Sequence, residues 1–194
     1  MIDASKPKYV LASSASTPPT SSSYWVVPSL LLAGAYPGDS DPDERRRKMQ
    51  ALVDAGVRAF VNLMQEDETN WAGVPFVPYV DVAQQFCPNV VCVRHPIQDL
   101  SVPTASEMCD MLDTIDQHLE SQKAVYVHCW GSVGRTGTVI GCWLLRHRLA
   151  EPSDVLDVLM QLRQQDRKRR NRMSPETGEQ QRFVREWPER DGTR

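Results

Sequence analysis

The sequence lacks any apolar run that approaches the ~20 residues needed to cross a bilayer, and its first residues lack the hydrophobic stretch of a signal peptide. It also lacks a strong charge of either sign, with 22 basic and 25 acidic side chains and a formal net charge of −3. Such a balance gives no reason to expect a nucleic acid or a membrane surface as a partner. We therefore expect a soluble, cytoplasmic protein, and nothing in the sequence predicts its oligomeric state.

Cysteine pairs are lacking as well. The five cysteines are odd in number and include no Cys-x-x-Cys spacing. Neither a disulfide framework nor a zinc site is indicated, so we expect a reducing compartment and no metal or cofactor.

The remaining composition is that of one ordinary globular domain with flanking segments, 194 residues long and 41% hydrophobic. Residues 1–23 are rich in Ser, Thr, Ala and Pro, which predicts a flexible tail. We expect the folded domain over residues 24–188 and a disordered C-terminus over residues 189–194.

Apolar runs predict strands and helices that alternate along this domain, which is typical of an α/β layer fold. The strand candidates are residues 24–27, 30–34, 58–63, 91–95 and 124–128. The helix candidates begin at Asp41, Thr104, Thr136, Pro152 and Ser174. The stretch after residue 63 predicts only a polar loop.

One segment, residues 128–138, carries most of the chemical information; its sequence is HCWGSVGRTGT. It lies between a predicted buried strand and a predicted core helix. A loop that enters a helix N-terminus points free backbone N–H groups and the positive end of the helix dipole at one place, which suits a phosphate or another oxyanion. The glycines allow the backbone to curl closely around such an anion.

The same electrostatic field favours the thiolate of Cys129. A cysteine at a helix N-terminus beside a cation can have a pKa of ~3.5–7.5 instead of ~8.5. Arg135 can hold two oxygens of a tetrahedral anion with its planar guanidinium, and Thr136 offers a hydroxyl near the sulfur. The segment therefore predicts attack by Cys129 on a bound oxyanion.

A carboxylic acid is required near such a thiolate, because the leaving oxygen needs a proton and the covalent intermediate must be hydrolysed. Asp99 meets this need, since it ends a strand-like run and lies between two prolines. The other interpretation is an ordinary turn residue ahead of the helix cap at Thr104.

Residues 128–136 resemble the signature loop of the cysteine-dependent protein tyrosine phosphatases, which is His-Cys, five residues, Arg, and Ser or Thr. The resemblance implies the fold of that superfamily: a single α/β domain with a central, mostly parallel sheet of four to five strands flanked by helices. It also implies that Cys129 is the nucleophile, Arg135 the phosphate clamp, Asp99 the general acid and Thr136 the hydroxyl that helps the thiolate leave. The implied substrate-binding residues are His128, Trp130, Gly131, Ser132, Val133, Gly134 and Arg135.

The resemblance is to the small dual-specificity type, because the chain is short and has no clear counterpart of the phosphotyrosine-recognition loop of tyrosine-specific domains. It implies hydrolysis of phosphotyrosine, phosphoserine and phosphothreonine in phosphorylated proteins or peptides, without a metal. Two local questions stay open. Ser132 either crowds the loop or donates one more hydrogen bond, and Trp130 either forms an apolar wall for an aromatic ring or packs inward.

Three alternatives remain. The basic run over residues 163–172 keeps open an inositol-polyphosphate or other non-protein phosphate ester as substrate. Most such runs are solvated helix ends, however, and the loop after Cys129 has no lysine of the kind that lipid phosphatases often carry. A non-catalytic phosphoprotein-binding module should lack Cys129, Arg135 or Asp99. A sulfur transferase would use the cysteine but would not need Asp99.

Overall fold

Strands and helices alternate along the chain in a computed structural model, which describes residues 8–188. The strands are β1 (Ser23–Val27), β2 (Leu31–Ala35), β3 (Val57–Asn62), β4 (Val91–Arg94) and β5 (Ala124–Cys129). The helices are α1 (Pro42–Asp54), α2 (Val80–Phe86), α3 (Ala105–Glu120), α4 (Arg135–Arg146), α5 (Val155–Leu162) and α6 (Gly178–Arg185), with a short 3-10 helix at Arg163–Gln165.

The five strands form one sheet in the order β1-β2-β5-β3-β4. Only β1 is antiparallel to its neighbour, and β5 lies in the centre between β2 and β3. Ala35 at the end of β2 is paired with Cys129, and Asn62 at the end of β3 is paired with His128. The predicted α/β domain with a mostly parallel sheet is therefore confirmed, and the segments that follow three parallel strands meet at one edge, where such sheets place their ligands.

The helices begin where the sequence places capping residues. The Asp41 carboxylate accepts hydrogen bonds from the backbone N–H groups of Asp43 and Glu44, and Pro42 occupies the first helical position. Thr104 and Glu107 form the predicted capping box at the start of α3. These caps satisfy N–H groups that a helix leaves without partners, and so determine where α1 and α3 start.

Helix α4 is buried along its whole length, and it packs against the sheet and against α3, α5 and α6. Two glycines make this close packing possible. A Cβ atom at Gly137 would overlap the Ser174 hydroxyl, and one at Gly141 would lie 2.7 Å from Val184 Cγ1. The tight packing holds the N-terminus of α4 in place directly after the loop that follows Cys129.

The described part of the predicted tail is packed rather than free. Tyr9 and Ala12 are buried, the Tyr9 ring lies 5.1 Å from that of Trp143, and the Ala12 N–H donates to the Val26 carbonyl at 2.9 Å. The prediction of a flexible segment therefore does not fit Tyr9 and Ala12, because a composition rich in small residues concealed one anchoring tyrosine, and for the rest of residues 8–22 it stays a prediction. Residues 1–7 and 189–194, predicted to be flexible or disordered, lie outside the described residues.

Other boundaries differ from the predicted ones. Helix α2 follows the stretch that predicted only a loop, and the helix expected from Pro152 begins at Val155. Within residues 8–188, no helix has both the length and the apolar character needed to span a membrane.

Candidate active site

A cavity of about 310 Å³ opens where β5 ends and α4 begins. Cys129 is the last residue of β5 and Arg135 is the first of α4, so the loop of residues 130–134 joins them at the helix N-terminus, as predicted. Cys129 is only 3% exposed, yet it lines the cavity. The other lining residues are Trp71, Asp99, Leu100, Trp130, Gly131, Val133, Gly134, Arg135, Arg169, Arg172 and Glu176.

The guanidinium of Arg135 is held by three acceptors. Both of its Nη atoms donate to the carboxylate of Glu68, Nη1 also donates to the Ile97 carbonyl at 3.1 Å, and Nη2 lies 3.0 Å from Asp99 Oδ1. Arg135 is 1% exposed. Burial by itself lowers the pKa of Arg135. The hydrogen bonds with Glu68 and the electrostatic attraction of the nearby Cys129 more than offset the effect of burial and raise the pKa. A fixed, charged fork of this kind is suited to binding a tetrahedral oxyanion.

Glu68 is a site residue that the sequence analysis missed. It lies in the polar loop after β3, and its Oε1 atom also accepts a hydrogen bond from the Gln65 N–H at 2.7 Å. The available signal was the position of that loop, because β3 and β5 are parallel neighbours whose ends share one sheet edge.

Asp99 lies in the acid loop, which we define as residues 96–103. The loop is anchored on both sides of Asp99: the Ile97 N–H donates to the Leu63 carbonyl at 3.1 Å, and the Ser101 carbonyl accepts from Gln180 Nε2 at 3.0 Å. Between them, Leu100 has a φ of 64°, which is rare for a side chain of this size. Such strain persists only where the surroundings impose it, and here it accompanies an Asp99 carboxylate directed at Arg135.

The amide of Gln180 connects α6 to this loop. Its Oε1 atom accepts from the N–H groups of Glu176 and Thr177, both at 3.1 Å, and its Nε2 atom donates to the Ser101 carbonyl. A Cβ atom at Gly134 would lie 3.0 Å from Gln180 Oε1. The sequence therefore needs a glycine at this point, where the loop after Cys129 passes α6.

Known proteins resemble this arrangement. Residues 36–149 match the model of a family described as "Polymorphic toxin system, DSP-PTPase phosphatase". The chain belongs to this family. The family that the signature segment suggested is thereby confirmed.

Individual proteins are similar to parts of this chain. An uncharacterized protein of Methanocaldococcus jannaschii is 34% identical over 92 residues, which are 47% of this chain and 52% of that protein. Human cyclin-dependent kinase inhibitor 3 is 27% identical over 133 residues, 66% of this chain and 61% of that protein. The chain thus spans between half and two thirds of the length of these curated relatives.

A solved structure has the same fold. Kinase associated phosphatase, crystallised with its catalytic-site cysteine replaced by serine, is 22% identical and superposes with a TM-score of 0.63, covering 79% of this chain and 83% of that one. Its likeness to this chain extends to the fold alone.

His128 lies beneath the site rather than in the cavity. It is fully buried, its Nε2 atom is 2.5 Å from the Tyr79 hydroxyl, and its Nδ1 atom is 3.3 Å from the Cys129 carbonyl. Burial lowers the pKa of His128 to about 3, so the imidazole is neutral. The sequence predicted that His128 contacts substrate, whereas in the structure its side chain does not line the cavity. Its contacts support a positioning role at the end of β5.

Two further residues of the predicted site do not line the cavity. Ser132 has a φ of 60°, and its buried hydroxyl has no hydrogen-bond partner among the described residues. Ser132 does not line the cavity, and both its predicted contact with substrate and the choice between crowding and an additional hydrogen bond stay predictions. The Thr136 hydroxyl is likewise buried without a partner in residues 8–188, and its role towards the thiolate stays a prediction.

The basic run over residues 163–172 divides into two parts. Arg163 is fully buried, and its guanidinium donates to the carbonyls of Ser132 and, at 3.2 Å, of Arg169. It therefore supports the loop after Cys129 from behind. Arg169 and Arg172 instead line the cavity, so part of the run has a position suited to anions.

Proposed function

We propose that this chain hydrolyses phosphotyrosine, and also phosphoserine and phosphothreonine, in phosphorylated proteins or peptides through a phosphocysteine intermediate. The observation that carries the proposal is that Cys129, Arg135 and Asp99 line a single cavity, with the acid carboxylate 3.0 Å from the guanidinium. These three groups supply the nucleophile, the anion clamp and the proton donor that the reaction requires.

In the first step, the Cys129 thiolate attacks phosphorus in line with the ester oxygen. The sulfur–phosphorus bond forms as the phosphorus–oxygen bond breaks, and Asp99 gives its proton to the departing oxygen. Arg135 and the backbone N–H groups at the N-terminus of α4 stabilise the charge on the equatorial oxygens.

In the second step, Asp99 takes a proton from water, whose oxygen attacks the phosphocysteine. The sulfur–phosphorus bond breaks, inorganic phosphate leaves and the thiolate of Cys129 is restored. The buried hydroxyl of Thr136 is available to donate to the departing sulfur.

The ion pair between Asp99 and Arg135 couples phosphate binding to the position of the acid. Incoming phosphate oxygens compete with Asp99 for Arg135 Nη2, so binding releases the carboxyl towards the leaving oxygen. Glu68 remains in place on the guanidinium and keeps its plane fixed while Asp99 changes partners.

The test is phosphate release, without added metal, from phosphotyrosine, phosphoserine and phosphothreonine peptides of matched sequence. Cys129→Ser provides the blank. We expect turnover in the wild type and none in this variant. Denaturation of the wild type during turnover should trap a phosphoenzyme on Cys129. Absence of turnover on every peptide would reject a protein substrate.

Arg169 and Arg172 support a second candidate, a non-protein phosphate ester with several phosphates such as an inositol polyphosphate. Arg172 is paired with Glu176, whereas the Arg169 guanidinium has no carboxylate partner in the part of the chain that the structure describes. Its Nε atom lies 3.9 Å from the position of a Cβ atom at Gly131, close to the loop after Cys129.

Inositol polyphosphates in the same assay, with Arg169→Gln as the variant, separate this candidate from the first. A polyphosphate substrate should lose turnover in the variant while a singly phosphorylated peptide keeps it. Equal rates for both proteins on all substrates would reject a role for Arg169 in substrate choice.

A further inference from the structure

The rim of the cavity carries an exposed aromatic side chain. Trp71 is 92% exposed, more than any other large hydrophobic residue among those described. Its ring centroid lies 4.8 Å from that of Trp130, which is half-buried and directly follows Cys129. Both tryptophans line the cavity, so Trp130 forms a wall there rather than packing wholly inward.

This aromatic pair continues into the protein. The ring of Phe76 lies 5.4 Å from that of Trp130, and the ring of Tyr36 lies 4.8 Å from that of Phe76. Trp130 is therefore supported from behind by packed rings, whereas Trp71 presents most of its surface to solvent. Exposure alone would be ordinary for a single side chain, but this indole lines the mouth of the cavity and can contact a molecule that enters it.

The loop that carries Trp71 is ordered by its own contacts. Asn70 Oδ1 accepts hydrogen bonds from the N–H groups of Ala72 and Val74 at 2.9 and 3.0 Å, and Thr69 is paired with Pro75 in an isolated antiparallel bridge. Three residues before Trp71, Glu68 is joined to Arg135. The backbone that carries the indole is thus tied to the loop that also holds the phosphate clamp.

The chemistry places the leaving group beside these rings. Because attack is in line, the ester oxygen lies opposite Cys129 Sγ and points towards the opening of the cavity. Residues at the rim therefore contact the alcohol part of the substrate rather than the phosphoryl group. A serine or threonine ester offers little flat apolar surface there, whereas a phenyl ester offers a ring that can stack on an indole.

We propose that Trp71, supported by Trp130, is the specificity-determining residue that favours aryl phosphates, and phosphotyrosine in particular, over alkyl phosphates. Leu100, half-exposed on the acid loop and also lining the cavity, adds a second apolar side chain to the rim. The proposal rests on the proposed phosphatase activity and names its preferred substrate class. Trp71 would then serve the function that the phosphotyrosine-recognition loop serves in tyrosine-specific domains.

The experiment compares kcat/KM for phosphotyrosine and phosphoserine peptides of the same sequence in wild type, Trp71→Ala and Trp71→Phe. We expect Trp71→Ala to lower kcat/KM for phosphotyrosine by roughly 3- to 10-fold, as the loss of one ring contact predicts, with a change under about 2-fold for phosphoserine. Trp71→Phe should retain most of the preference. Val74→Ala, an exposed apolar position of the same loop, is the matched control.

Equal losses on both esters would overturn the proposal, because they would mean that Trp71 acts through the loop and Glu68 rather than on the leaving group. No loss on either ester would overturn it as well, and would leave the exposed indole as a contact for another protein. Thermal unfolding of each variant checks that the fold is intact.

A binding measurement keeps this question separate from the proposed activity. In a Cys129→Ser background, where no turnover is needed, Trp71→Ala should weaken phosphotyrosine peptide binding by a similar factor and leave phosphoserine peptide and inorganic phosphate binding unchanged. An inactive wild type would refute the proposed function, while unaltered phosphotyrosine binding in the double variant would refute the role of Trp71.

Discussion

Arg135 and Glu68 form a two-pronged ion pair at the base of the cavity, in which each Nη atom of the guanidinium donates to the carboxylate. The two residues are 67 positions apart in the chain. Both side chains are largely buried, so the pair is shielded from solvent and fixes the plane of the guanidinium. The orientation of the phosphate clamp therefore depends on a residue outside the signature segment.

Replacement of Glu68 should weaken phosphate binding by Arg135. We expect Glu68→Gln to lower kcat/KM by about 10- to 100-fold, because a small misplacement of a binding group near the reacting centre has costs of this size. Competitive inhibition by inorganic phosphate should weaken in parallel, which links the loss to anion binding. The matched control is Glu66→Gln in the same loop, at an exposed position, and equal activity of the two variants would argue against the role of Glu68.

The role of Asp99 is tested by Asp99→Asn. General acid catalysis contributes about 10²- to 10⁴-fold, and kcat should fall by that amount on phosphotyrosine peptide. The acid must be protonated when the ester oxygen leaves, so wild-type activity should decline at high pH, and the variant should lack that basic limb. A pH–rate profile of both proteins measures this.

The leaving group provides a sharper control for the same variant. An aryl phosphate whose phenol is already acidic, such as p-nitrophenyl phosphate, needs little protonation as it departs. Its turnover should be much less affected by Asp99→Asn than that of phosphotyrosine. Equal losses on the two substrates would indicate that Asp99 acts by holding Arg135 rather than as the acid.

The sequence could predict Cys129 and Arg135 together because one short loop and one helix N-terminus hold both, and this geometry is local. It could not single out Glu68, because a polar loop with five acidic or amide side chains has the pattern of a solvated segment. Only the order of the strands, with β3 beside β5, brings that loop to the guanidinium.

Arg163 and Tyr9 illustrate the same limit. Within a run of arginines and lysines, charge gives no indication that Arg163 is buried against the Ser132 carbonyl while Arg167 and Lys168 are exposed. Tyr9 lies in a stretch dominated by small residues, and its packing on Trp143 depends on a helix far along the chain. Helix α2 was missed because seven residues that follow a proline-rich stretch carry too little periodicity.

Ser132 offers a test of strain in the loop after Cys129. Its positive φ disfavours a side chain, and its buried hydroxyl lacks a partner in the described residues. Ser132→Gly should therefore raise the free energy of unfolding by about 1 kcal/mol. Urea denaturation monitored by fluorescence measures the change. A loss of stability would show that the serine has a favourable contact that offsets its backbone conformation.

His128 predicts how stability depends on pH. Its pKa falls from its ordinary value of 6.5 to about 3 on folding, because the imidazole is buried. Between these values the unfolded chain binds a proton that the folded chain does not, so stability is complete at higher pH and is lost as the pH falls. From about pH 7.5 to about pH 5, this group alone should cost about 2 kcal/mol of unfolding free energy.

The measurement is urea denaturation at both pH values for wild type and His128→Gln. The variant is expected to be less stable at neutral pH because it loses the contact with Tyr79, but its stability should fall less on acidification, by about the 2 kcal/mol assigned to His128. Tyr79→Phe retains the imidazole and its burial, and it should keep the wild-type pH dependence. Parallel pH dependence in wild type and His128→Gln would mean that other groups govern acid unfolding, and that His128 is protonated as readily in the folded protein as in the unfolded chain.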